Sequence, residues 1–348
     1  MRSFRSERWR AAQPPWQRLD AREEYECLCR LRLDHIVPVS EPLVLVSQIE
    51  RSGGTLLSQL FDGHPECHSH AYELRVGSPK QRIGLALDIA APDGWFGLLY
   101  EKHVGGHFRR GYRKSPEVLP SEDAEFDVFP FIFLPRLQHL LFEKCVRETT
   151  IESRRDVLDC YFTSYFNAWI DNRNLYTGPK KAVTAFAPDL NLRPDSVRSF
   201  FEDYPDGKLV SIVRDPCSWY ASARSQKKKY ADVDFALAKW RRSTEAILEW
   251  RKRYGDRVIA LTYEDLVLDT AAVMARIAEQ IGISMSPTLL VPTFNGRPIR
   301  ANSSFHVERH GILADRASPH HGGLNRDTIA RIEDAAGDLY AHIRGDLA

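Results

Sequence analysis

At 348 residues, 43% of them hydrophobic, the chain is long enough to bury a core in one large α/β domain or two smaller ones. Its 48 Lys and Arg nearly cancel 47 Asp and Glu, which excludes a global field that would hold it on nucleic acid or an anionic membrane, so any anionic ligand must be held by local charge. No stretch approaches the length of a membrane span.

The first twenty residues carry Arg2, Arg5, Arg8 and Arg10 without the apolar run of a secretory signal. An Arg-rich start also suits an organellar transit peptide, but Pro14, Pro15 and Glu7 favour a frayed basic tail, so residues 1–40 are expected to be a partly flexible extension. The six cysteines, at 27, 29, 67, 145, 160 and 217, share no repeated spacing, and reduced thiols in the cytoplasm are expected.

Residues 43–49, LVLVSQI, form a short apolar run between Pro42 and a glycine pair, the pattern of a strand buried on both faces. From Thr55, leucines 56, 57 and 60 and Phe61 recur at helical spacing up to Gly63 and Pro65. The unit recurs as KAVTAF (181–186) followed by the helical SVRSFFEDY, and as KLVSIV (208–213) followed by a helix opened by Asp215 and Pro216. RVIALT (257–262) reads as a further strand, and residues 234–253 and 270–282 as amphipathic helices. The alternation predicts an α/β, doubly wound, mostly parallel sheet flanked by helices, forming one domain over residues 41–348. Residues 88–175 break the rhythm, with aromatics and prolines and then a helix near FTSYFNAWI, and are expected to be an insertion over the sheet that borders the acceptor site.

Two segments carry chemistry. In Glu50-Arg51-Ser52-Gly53-Gly54-Thr55-Leu56, two glycines permit a tight turn and the helix beyond presents unpaired N–H groups, which together make an anion cradle. Ser52 and Thr55 add hydroxyls and Arg51 a fixed positive charge. The nucleoside-triphosphate loop G-x-x-x-x-G-K-[ST] is not matched, because no Lys follows Gly54. In the second segment Arg214 falls at the carboxyl end of a strand, where open α/β sheets bind ligands, and Ser222 lies about two helical turns on, so the pair could grip one phosphate.

Together these segments resemble the family of sulfotransferases that use 3′-phosphoadenosine 5′-phosphosulfate (PAPS), in the branch whose loop reads R-S-G-T-T-L-L and is followed by D-x-H-P. The matching residues are Arg51-Ser52-Gly53-Gly54-Thr55-Leu56-Leu57 and Asp62-Gly63-His64-Pro65. The resemblance implies a P-loop-like fold, PAPS as co-substrate without a metal, the first loop on the 5′-phosphosulfate, and Arg214 and Ser222 on the 3′-phosphate. Tyr263-Glu264-Asp265-Leu266 also looks like the family, and Gly296-Arg297 to Asn302-Ser303-Ser304-Phe305 resembles a loop that closes over the nucleotide. Gly54 departs from the pattern: it replaces a threonine, removing a side-chain donor while keeping the backbone N–H.

The reaction expected is sulfuryl transfer to a hydroxyl or amine of a small molecule or glycan, with Arg51 as the cation beside the leaving oxygen. For the base, a glutamate shortly after the H-P element is implied, which points to Glu73; His70 and then His68 follow, each also readable as a solvated loop side chain. A metal at His64, Cys67, His68 and His70 lacks a second ligand pair, and His64 is expected to cap or pack the helix end. The runs Lys227-Lys228-Lys229 and Arg109, Arg110, Arg113, Lys114 read as solvated faces or as steering charge, and Trp95, Phe96, Phe129, Phe131 and Phe133 as core or pocket lining. A P-loop-type small-molecule kinase and a catalytically inactive nucleotide-binding module are the competing functions.

Overall fold

The computed structural model describes residues 20–75, 87–88, 90–104, 106, 111–113, 128–299, 311–312 and 323–347. In chain order the described elements begin with α1 (Ala21–Asp34), β1 (Leu43–Val46), α2 (Gly54–Phe61), β2 (Cys67–Glu73) and α3 (Trp95–Leu99). A two-residue hairpin, β3 (Tyr112–Arg113) and β4 (Val128–Phe129), is followed by α4 (Pro135–Glu148), α5 (Arg154–Ala168), β5 (Ala182–Phe186), α6 (Pro194–Asp203) and β6 (Lys208–Val213). Then come α7 (Pro216–Gln226), α8 (Val233–Tyr254), β7 (Val258–Thr262), α9 (Tyr263–Leu268), α10 (Thr270–Ile281), the hairpin β8 (Thr293–Phe294) and β9 (Arg297–Pro298), and α11 (Arg326–Leu347).

The central sheet is fully parallel, in the order β2-β5-β1-β6-β7. Because alternate side chains of a strand face opposite ways, Leu43 and Leu45 enter one core with α5 and α6, while Val44 and Val46 enter another with α2 and α10. A third apolar cluster joins α7, α8 and α11 through Trp219, Trp240 and Ile332. Helices therefore cover both faces, as the doubly wound expectation requires. No helix among the described residues is long and apolar enough to cross a membrane.

The structure refines four expectations. Residues 88–175 are not a mere insertion over the sheet: from Val157 to Ala168 every residue of α5 except Asp159 is buried, and the helix forms the core layer against β1 and β5. The segment 67–73, expected as a loop, is the edge strand β2. Its alternate residues His68 and His70 stack on Phe166 and Tyr165, at centroid distances of 4.9 and 4.3 Å, and Tyr72 meets Phe131 edge-on at 5.3 Å, so the two histidines are buried rather than solvated. Within the 1–40 extension, α1 opens with a capping box at Asp20 and Glu23, Cys29 is buried, and Arg32 Nη2 donates to the Ile170 carbonyl at 2.6 Å. Beyond it Val37 and Val39 are held on α5 by Asn167 and Thr163, each at 2.9 Å. Finally, Cys145 and Cys160 form a disulfide between α4 and α5 with Cα atoms 5.5 Å apart, so only Cys27, Cys29, Cys67 and Cys217 are free thiols.

Candidate functional site

Strand β1 lies between β5 and β6: the chain leaves it toward β2 on the β5 side, and every later connection, through β5 to β6 and β7, runs the other way. Its carboxyl end is thus the switch point where open α/β sheets place ligands. The chain leaves β1 through a turn whose backbone is left-handed at Arg51 (φ 71°) and Gly53 (φ 99°) before α2 begins at Gly54. No side chain caps α2, which leaves the N–H groups of its first turn to be satisfied from outside the helix.

Both glycines are required by what packs on them. A β-carbon at residue 53 would stand 2.6 Å from Tyr263 Cδ2. One at residue 54 would stand 1.7 Å from Gln48 Nε2 and 2.6 Å from Phe186 Cε2. Thr55 is exposed at the mouth of the turn, Leu56 is half-buried and Ser52 is buried.

From the other side of β1, β6 delivers Arg214. Asp215 caps α7 by accepting from Ser218 N at 2.7 Å, and Pro216 occupies the first turn, as the sequence predicts. The guanidinium of Arg51 donates to Ser222 Oγ through Nε and Nη2 at 3.1 and 3.0 Å. Arg214 Nη1 donates to the Arg51 carbonyl at 3.1 Å, and its guanidinium lies 4.5 Å from the centre of the Tyr263 ring. Residues 163 and 171 positions apart thereby share one spot.

Supports that sequence reasoning missed fix this geometry. Trp219 Nε1 donates to the Glu50 carbonyl at 2.8 Å and Trp240 Nε1 to the Arg214 carbonyl at 2.9 Å. The Glu50 carboxylate receives Lys239 at 2.5 Å, Lys229 at 3.0 Å and Lys227 at 3.2 Å, so two lysines of the 227–229 run brace the turn instead of forming a merely solvated face. Burial pushes the Glu50 carboxyl up, but Lys239 and Tyr230 outweigh it and hold the group far below the usual range. Glu264 accepts from Asp215 N at 3.1 Å and from Tyr340 Oη at 2.8 Å.

Asp62 is buried and accepts from Thr293 Oγ1 at 2.7 Å and Gly296 N at 2.9 Å, which ties the D-G-H-P element to the β8-β9 hairpin. His64 packs at the end of α2: Nε2 meets the Ser284 carbonyl at 2.9 Å and Nδ1 accepts from Glu66 N at 3.2 Å. Asn302, Ser303 and Ser304, and Arg109, Arg110 and Lys114, lie outside the described residues. Phe131 and Phe133 are core residues, and Trp95, Phe96 and Phe129 are half-buried.

Of the proposed bases, Glu73 ends β2 in register with Phe186, at the same edge of the sheet as the turn, with a half-exposed carboxylate paired to Arg75. His70 faces Glu101 Oε1 through Nε2 and the Tyr72 carbonyl through Nδ1, both at 2.9 Å. His68 Nε2 is buried without a hydrogen-bond partner among the described residues, and burial pushes this imidazole down to about 3. No cluster of metal-binding side chains occurs among the described residues.

The fit of the turn to an anion rests on its unpaired polar atoms. Ser52 Oγ, Arg214 Nε and both amide atoms of Gln48 are buried without hydrogen-bond partners among the described residues. Such atoms are costly unless a ligand satisfies them.

No curated protein matches the chain. Solved structures with a similar path include the sulfotransferase domain of the Synechococcus PCC 7002 olefin synthase, at 21% identity over 87% of this chain and 96% of that one, TM-score 0.46. The sulfotransferase domain of the curacin biosynthetic pathway is 14% identical over 85% and 98% of the two chains, TM-score 0.46. Retinol dehydratase, crystallised with androsterone and the inactive cofactor PAP, is 14% identical over 85% and 80%, TM-score 0.39. Residues 194–287, which hold β6, Arg214, Ser222 and Tyr263 to Leu266, match the model of a sulfotransferase family, so the resemblance read from the motifs is met by a family match that leaves residues 51–57 outside it.

Proposed function

We propose that the chain moves a sulfuryl group from PAPS to a hydroxyl or amine of a small-molecule or glycan acceptor, without a metal. The observation that supports this reading is the meeting of Arg51, Ser222 and Arg214 at the carboxyl ends of β1 and β6, beside a turn with unpaired buried donors.

PAPS brings the activated sulfuryl group; this chain's residues bind it and manage charge and proton. Arg214 and Ser222 hold the 3′-phosphate, and residues 51–56 hold the 5′ end at the α2 N-terminus. Asn302, Ser303 and Ser304 add amide and hydroxyl groups for the nucleotide. As the acceptor oxygen bonds to sulfur, the bond from sulfur to the phosphate oxygen breaks and its electron pair stays on that phosphate. Arg51 neutralises the charge that accumulates there, and being always protonated it acts by charge and hydrogen bonding. Glu73 takes the acceptor's proton.

The test is calorimetric titration with 3′-phosphoadenosine 5′-phosphate (PAP) without magnesium, beside ATP with magnesium. Binding of PAP that collapses in Arg214→Ala, with ATP silent, is expected. Binding of ATP alone would replace this reading with a kinase.

A further inference from the structure

Residue 54 is the place where a side-chain donor is missing from the turn, and the space that such a side chain needs is already filled. A β-carbon there would fall 1.7 Å from Gln48 Nε2 and 2.9 Å from Gln48 Cδ, so the carboxamide of Gln48 lies where a residue-54 side chain would begin. Gln48 is 1% exposed, and neither Oε1 nor Nε2 has a hydrogen-bond partner among the described residues. Its main chain is fixed by Asp189 N donating to its carbonyl at 3.0 Å. A group that only filled space at the first residue of α2 would be apolar, because a buried amide with both ends unpaired is penalised and a methionine of similar length is not.

We propose that the Gln48 carboxamide donates to the anionic 5′ group held in the 51–56 turn, and that Gln48 and Gly54 form one exchange: the donor lost at residue 54 is supplied from the end of β1. This rests on the PAPS reading above and adds a residue to its 5′ side. The exchange is reciprocal, since a side chain at 54 and the Gln48 carboxamide exclude each other.

The experiment titrates wild type and Gln48→Met with PAP and with adenosine 3′-monophosphate, which lacks the 5′ group, and measures the urea stability of each ligand-free protein. A lost hydrogen bond to a charged group predicts PAP binding weaker by roughly 10- to 100-fold in Gln48→Met. Binding of adenosine 3′-monophosphate stays unchanged, and ligand-free stability is equal or higher. Unchanged PAP affinity in Gln48→Met overturns the proposal, as does an equal loss for both ligands with a loss of stability, which marks a purely structural residue. Silence of the wild type toward PAP overturns the donor-site reading itself, and is distinguished because it precedes any substitution.

Discussion

Replacing Glu101 by alanine tests what holds β2 and the 95–104 segment onto the core. Glu101 is 4% exposed and accepts from His70 Nε2 at 2.9 Å, from Arg75 N at 2.7 Å and from the Tyr161 hydroxyl. Burial pushes its carboxyl up, and the charge and hydrogen bond of His70 overcome this to hold it below the usual range. Removing the carboxylate strands two buried side-chain donors and the Arg75 N–H, each worth about 1–3 kcal/mol when unpaired. These losses are not additive, and together they are expected to cost about 3–5 kcal/mol in Glu101→Ala. Glu101→Gln keeps the volume and an acceptor oxygen and loses less, about 1–2 kcal/mol. Urea denaturation followed by tryptophan fluorescence reads both values, and PAP titration of the folded variants is expected to match wild type because no atom of this network touches Arg51, Ser222 or Arg214. A loss below about 1 kcal/mol for Glu101→Ala would refute the reasoning.

Gly53→Ala forces a β-carbon to 2.6 Å from Tyr263 at φ 99°, so urea stability should fall by roughly 1–3 kcal/mol, and PAP affinity with it. Glu73→Gln should lower turnover by about 10²- to 10⁴-fold in a sulfuryl-transfer assay while PAP affinity stays as in wild type. His68, 2% exposed, takes a proton near 6.5 when unfolded but only near 3 when folded, so its stabilising contribution is complete above the unfolded value and is lost as pH falls toward 3. The stability difference between pH 8 and pH 5 should therefore shrink by about 2 kcal/mol in His68→Gln, measured by urea denaturation at both pH values. Alkylation of the unreduced, unfolded protein should label Cys27, Cys29, Cys67 and Cys217 and spare Cys145 and Cys160, read by mass spectrometry.

Strands β1, β5, β6 and β7 were legible because a strand covered by helices on both faces needs an apolar residue at nearly every position, and LVLV, AVTAF, KLVSIV and VIALT show it. The edge strand CHSHAYE hides that signal, since ring contacts of His68, His70 and Tyr72 replace aliphatic burial. Helix α5 was legible only near FTSYFNAWI, and its place in the core was missed for the opposite reason: a helix buried almost all round has no polar stripe to give a period. At the site, Arg51, Arg214 and Ser222 could be named from local pattern, but their mutual contact spans 171 positions. The Gln48 carboxamide over Gly54 and the Tyr263 ring over Gly53 are packing facts between elements, and no local pattern encodes them.

The strand order also gives the proposed site a direction. Arg214 comes from β6 on one side of β1, and Glu73 from β2, two strands to the other side and thus about 10 Å across the sheet edge. Between them stands the carboxyl end of β5, whose Phe186 is in register with Glu73 on one side and Val46 on the other. Phe186 is 8% exposed, and its ring reaches the α-carbon side of Gly54. Under the proposed function, the 3′-phosphate is gripped on the β6 side, the 5′ end sits over β1, and the acceptor approaches from the β2 side, so that transfer takes place above Phe186. In that proposal an apolar floor at Phe186 would strengthen the interaction of Arg51 with the charge that develops on the leaving oxygen, because the same charges interact more strongly where the local dielectric is low. A base set at the sheet edge and half-exposed can meanwhile pass the acceptor's proton to solvent.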